Sequence, residues 1–236
     1  MSQTESERPQ ATILGHLDEL RERLIKAVAA LVVATLFSFF YASRLLKLLI
    51  APAGAIKPVF LTPTEGFLTY MRVALLGGTV LALPVIAYQL VRFVLPALKE
   101  SEAKTLLIAV PGAIVSFLVG VAFAYFAMLP FALRYLVLFG AAIAEVAWAI
   151  GRYIDFVTTL MFWVGIIFEA PLVIYFLAKL GIVNTAILSR NRRYAILVSA
   201  ILAAAITPTA DPFNMLLLMV PLVLLYEIGI LASRLA

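Results

Sequence analysis

The chain has 236 residues, 64% of them hydrophobic, with a mean hydropathy of +1.09, a net charge of +5 and no cysteine. Soluble domains are about half apolar, so this composition excludes a soluble globular fold and makes lipid part of the solvent. The missing thiols exclude disulfides, thiolate metal sites and cysteine nucleophiles, and the positive charge flanks apolar runs, which fits membrane topology better than nucleic acid.

Residues 1–12 read as a polar N-terminal tail without a cleavable leader. Residues 13–26 read as an amphipathic juxtamembrane helix, because Leu14, Leu17, Leu20 and Leu24 recur at helical spacing. Thr12 is placed to cap it. Glu19–Arg23 and Glu22–Lys26 stand four apart in the favourable order. Crossing a hydrocarbon core of about 30 Å takes about 20 residues at about 1.5 Å each. Stretches nearly free of charge predict six spans, at about 27–43, 71–91, 105–130, 156–178, 194–207 and 213–231. The apolar stretch Tyr135–Ile150 holds Glu145 and reads as an interfacial or packed loop helix, with a seventh span as the alternative. Pro208 and Pro212 punctuate the turn between the last two spans and leave both short, the fifth at about 21–24 Å. Spans that short thin the bilayer or shelter against neighbours. Six spans put both termini on one side. With the N-terminus cytoplasmic, twelve of the 18 Lys and Arg fall inside, which satisfies the positive-inside rule for N-in, C-in. The expected architecture is one all-α polytopic membrane domain over residues 1–236.

Carboxylates mark the places where chemistry is expected. Glu100 and Glu102 follow Phe93 and Pro96 on a cytoplasmic segment where cations are the rule. They either pair with Lys99 and Lys104 or accept guanidinium groups, whose fork matches a carboxylate. Glu169 falls near mid-membrane, where an ionisable group costs about 2.5–3.5 kcal/mol. It is either a buried hydrogen-bonded structural group or a functional one, and Pro171 frees a backbone carbonyl beside it. Glu65 reads as a cap or turn before the second span, Asp211 as a cap for the sixth helix, and Glu227 as a snorkelling group or a partner for Arg234. His16, the one histidine, suits packing or capping. The sequence has no nucleotide loop, no HExxH metal pair and no GxSxG elbow. The expectation is therefore a non-enzyme without cofactor or metal, and Glu169 leaves a secondary transporter as the alternative.

Four ordered segments carry a family resemblance. His16-Leu17-Asp18-Glu19-Leu20-Arg21-Glu22-Arg23-Leu24 resembles the HLxELRxRL signature of the TatC family of twin-arginine protein translocases. Leu83-Pro84, Tyr88-Gln89 and Phe93-x-x-Pro96-Ala97-Leu98 are similar to that family's second span and first cytoplasmic loop. Phe168-Glu169-x-Pro171 is similar to its fourth span, and Thr207-Pro208, Asp211-Pro212-Phe213, Pro221 and Tyr226-Glu227-Ile228 to its last two. The resemblance implies a cupped six-span bundle in the prokaryotic cytoplasmic membrane that receives the twin-arginine signal peptides of folded cargo. It implies that Glu19 and Glu102 take the arginine pair, with Phe93 lining the same patch and Arg21 organising it. It implies that Glu169 faces the concave side, and that His16, Leu20, Pro52, Pro96, Pro208, Asp211 and Glu227 are structural motif positions. Single-span TatA and TatB subunits would dock on the last two spans, copies would self-associate within the complex, and the proton-motive force would supply energy. Two departures stand out: Ser101-Glu102-Ala103-Lys104 replaces the family's frequent His-Glu-Arg-Arg run, and Gly66 stands where proline is common.

Overall fold

A computed structural model describes residues 7–54, 56–95, 100–141, 147–207 and 212–235, with side chains described over 15–54, 56–95, 110–138, 147–207 and 212–235. The first element, α1 (Glu7–Ile50), is a single helix of 44 residues, about 66 Å long. It unites part of the expected tail, the juxtamembrane helix and the first span. Pro9 lies in its first turn, where the missing N–H is no loss. The helix is already running at Thr12, so that residue caps nothing. Only 6% of its apolar stretch is buried, and Phe40 is 84% exposed. A helix this apolar with so little protein around it is solvated by lipid.

A short 3₁₀ turn at Ala51–Ala53, with Pro52 in its first positions, leads away from α1. α2 (Glu65–Val94) then returns antiparallel along α1. The two helices approach closely at small residues. A Cβ added to Gly78 would lie 2.6 Å from Cα of Thr35, and one added to Gly77 would lie 2.3 Å from Oγ of Ser38. α3 (Glu100–Phe123), a π turn at Ala124–Met128 and α4 (Leu129–Ala141) form one continuous rod. The expected loop helix over Tyr135–Ile150 is therefore not a separate element: its first residues prolong the third span, whose apolar sequence supplies no effective breaker before Ala141. Residues 142–146, with Glu145, lie outside the described residues.

The fourth span is broken into α5 (Ile150–Ile167) and α6 (Ala170–Lys179). The break falls at Phe168-Glu169 because Pro171 has no N–H for the carbonyl four residues back. Gly181, at φ 71°, closes α6 in the left-handed conformation, with the Ile182 N–H donating to the Leu177 carbonyl at 3.0 Å. α7 (Thr185–Arg190) is capped by Asn184, whose Oδ1 accepts from the Ile187 N–H at 2.8 Å. α8 (Arg192–Ile206) and α9 (Pro212–Ala232) complete the bundle.

Among the described residues there is no strand, only an isolated bridge between Val59 and Ala149. Five helical segments of the described residues are long and apolar enough to cross a membrane; α8, at 15 residues, is not one of them. The core centres on α5, whose Ile154, Val157 and Val164 are fully buried. At the end where α1 stops, helix termini would leave carbonyls without partners. Two phenols satisfy them: Tyr125 donates to the Leu48 carbonyl at 2.9 Å and Tyr153 to that of Leu49 at 2.8 Å.

Candidate functional site

Where α1 begins, its polar face meets the end of α2. Arg23 donates through Nη2 to Glu19 at 3.2 Å and through Nη1 to Oε1 of Gln89 at 3.3 Å. The same guanidinium thus joins a pair four residues apart on α1 to a side chain on α2. One turn earlier, the His16 ring stacks on Phe93, with centroids 4.5 Å apart and planes 18° apart. The result is a carboxylate beside an aromatic plate, with the Glu19 side chain 27% exposed. This is the chemistry that receives a guanidinium: an acceptor in partly desolvated surroundings and an apolar surface for its flat face.

Farther along, α2, α3, α5 and α6 enclose a cleft of about 720 Å³. Its walls are mostly apolar, from Leu83 and Leu90 to Phe117, Phe162 and Phe176. Three charged groups break that pattern. Glu169 enters the cleft from the α5–α6 break, with Oε1 buried and without a hydrogen-bond partner among the described residues. Arg72 and Asp155 line its far end and pair at 3.0 Å. Arg72 also donates to the Gly151 carbonyl at 3.2 Å, while the Gly151 N–H donates to Glu65 at 3.0 Å. The Gly151 peptide is gripped from both sides, and a Cβ there would lie 2.7 Å from Cγ of Glu65. Glu65 also accepts from the Leu61 N–H at 2.7 Å, so it ties the start of α2 to the preceding loop and to the start of α5.

Residues 15–221 match the family model for the Sec-independent protein translocase protein TatC. The chain belongs to the TatC family. The TatC of Carboxydothermus hydrogenoformans is 39% identical over 225 residues, covering 94% of this chain and 93% of that protein. The TatC of Aquifex aeolicus is 36% identical, covering 94% of each. The chloroplastic TATC of Arabidopsis thaliana is 35% identical, covering 92% of this chain and 64% of that one. A crystal structure of the twin-arginine translocase receptor TatC superposes with a TM-score of 0.84 at 35% identity, over 93% of this chain and 98% of that one.

In this TatC-family membrane protein, three of the expected positions come together: His16, Glu19 and Phe93. Leu20 is 42% exposed. Arg21 is exposed and makes no ion pair among the described residues. Two residues along a helix turn it about 200° from Glu19, so it points away from Gln89. Glu102 lies on α3, with its side chain outside the described residues; Pro96, Pro208 and Asp211 also lie outside them. Glu227 pairs with Arg192 at 2.8 Å and not with Arg234, because Arg234 lies past the end of α9, whereas α8 packs directly beside Glu227. From the sequence, Arg23 was placed only in its pair with Glu19 and Gln89 only as a motif position, and neither Arg72 nor Asp155 was singled out. The signal for Arg72 and Asp155 was positional: opposite charges near the starts of two spans that run the same way, α2 and α5, lie at one depth and are candidates to pair.

Proposed function

We propose that this chain is the signal-peptide receptor and core subunit of a Tat complex, exporting folded proteins across the prokaryotic cytoplasmic membrane with the proton-motive force. In this reading all six spans cross, α8 included, with both termini cytoplasmic, and the whole chain is one membrane domain. The Glu19 carboxylate, held by Arg23 at the α1–α2 contact beside the His16–Phe93 stack, is the observation that carries it. Glu19 and Glu102 take the two arginines of a signal peptide, Phe93 lines their patch and Arg21 organises it from the neighbouring face. Single-span TatA and TatB subunits dock along the last two spans, and copies of the chain associate within the complex. Its work is binding and passage, not catalysis. Photocrosslinking tests the assignment. A probe beside Glu102 is expected to label an Arg-Arg signal peptide and not its Lys-Lys counterpart, with labelling lost in Glu19→Ala and in Glu102→Ala. Equal labelling by both peptides would overturn it.

A further inference from the structure

Between Glu169 and Asp211 the only charged residues are Lys179, Arg190, Arg192 and Arg193. Glu227 pairs with Arg192 at 2.8 Å. Lys179, Arg190 and Arg193 are exposed, as is Arg234, and none of these four forms an ion pair among the described residues. The fold holds them at one end of the bundle. α6 stops at Lys179 and the chain turns at Gly181. α7 then packs on the end of α9, with Oγ1 of Thr185 2.9 Å from Oγ of Ser233, next to Arg234. Tyr226 donates to the Leu188 carbonyl at 2.9 Å and fixes the same corner.

We propose that this end of α6–α9 is a binding surface for the headgroup of an anionic phospholipid, with Lys179, Arg190 and Arg193 as the residues that hold its phosphate. Depth is the first argument. α6 has 10 residues after the Glu169 turn, a rise of about 15 Å, or half the hydrocarbon core. With Glu169 near mid-membrane, Lys179 lies at headgroup level. The second argument is the company these cations keep. Ile182 is 63% exposed, Tyr194 53% and Ile187 39%. Arg193 stands over the Tyr194 ring at 4.9 Å and Lys179 over that of Tyr175 at 5.6 Å. Cations beside amphipathic rings and bare aliphatic side chains suit the water–lipid boundary, where the apolar parts are covered by glycerol and acyl chain. A soluble acidic protein would leave those aliphatic groups unsatisfied at lipid depth. The third argument is tethering: the connection runs between two membrane helices and stays at the surface. Charge near an anionic leaflet strengthens binding by roughly fivefold per cation.

The test uses the intact chain in detergent micelles doped equally with phosphatidylglycerol and phosphatidylcholine, with retained lipid counted by native mass spectrometry. Wild-type protein is expected to retain phosphatidylglycerol by at least roughly tenfold over phosphatidylcholine. The triple variant Lys179→Gln, Arg190→Gln, Arg193→Gln should lose that preference while unfolding at the wild-type temperature. Arg190→Lys with Arg193→Lys should keep it, as should Arg44→Gln with Lys47→Gln at the opposite end. Equal retention of both lipids by the wild type, or an undiminished preference in the triple variant, would overturn the proposal. Displacement of the lipid by excess inorganic phosphate would reduce the surface to a general anion site, and displacement by polyglutamate would favour an acidic protein partner; either result sinks it. None of these outcomes depends on signal-peptide binding.

Discussion

Glu19 offers a ligand one carboxylate oxygen without a partner among the described residues, because Arg23 engages only Oε1. The pair itself contributes little to folding. Ion pairs four apart on a helix are worth about 0.3–0.5 kcal/mol, and this one is partly solvated. The same carboxylate facing an incoming guanidinium makes charge-assisted bonds worth about 1.5–3 kcal/mol. Glu19→Gln is therefore expected to leave thermal unfolding nearly unchanged and to weaken Arg-Arg peptide binding by roughly tenfold to a hundredfold, measured by fluorescence anisotropy in detergent. A variant that unfolds early and binds normally would make Glu19 a structural residue. Much of this corner was legible beforehand. The repeat of Leu17, Leu20 and Leu24 exposed an amphipathic helix, and the spacing of Glu19 and Arg23 announced their pair. The donation to Gln89 was not legible, because it joins residues 66 apart and only the packing of α2 on α1 brings them together.

That packing is set by small residues, and its tolerance is measurable. Beside Gly78 an added methyl meets backbone, with Cα of Thr35 at 2.6 Å and its nitrogen at 2.8 Å. Backbone cannot rotate aside, so α1 and α2 must separate. Gly78→Ala is expected to destabilise the chain by about 1–3 kcal/mol through overpacking, read as a lower midpoint in denaturant titration. Gly112→Ala on α3 is the matched control. Its methyl would touch only Leu172 Cδ1, at 3.7 Å, and replacing a helical glycine there should stabilise by about 0.5–1 kcal/mol. If both substitutions behave alike, helix propensity and not close approach governs the seam. At this scale, sequence reading located the helices well and their ends less well. Uncharged length marked the five described segments that are long and apolar enough to cross a membrane, since charges avoid hydrocarbon. The continuity of α1 from Glu7 to Ile50 was hidden because Lys26 looked like a boundary, yet a helix can leave the bilayer without stopping. The end of α5 was signalled by Pro171, but the break places Glu169 in a turn, not in the middle of a helix.

Across the whole molecule, the cleft and its carboxyl pose the sharpest choice between readings. A buried polar atom without a hydrogen bond costs about 1–3 kcal/mol, and Glu169 holds such an atom in a cleft of about 720 Å³. A group retained for packing would lower stability when removed. A group retained for what enters the cleft should raise it when removed and reduce function, the usual exchange at working sites. Glu169→Ala is expected to unfold at a higher denaturant concentration, by about 1–2 kcal/mol. It should bind Arg-Arg peptide within about twofold of wild type, because Glu169 shares no hydrogen bond or ion pair with the Glu19 corner among the described residues and independent sites add to within about 0.3–0.5 kcal/mol. Export of a folded cargo into inverted membrane vesicles should nevertheless fall. The three readouts separate the possibilities. Lost peptide binding would mean that the cleft and the Glu19 corner form one site. Lost stability would make Glu169 a structural group. Unchanged export combined with loss of a proton-coupled solute flux would identify a transporter, in which the Arg72–Asp155 pair at the far end of the cleft closes a solute path.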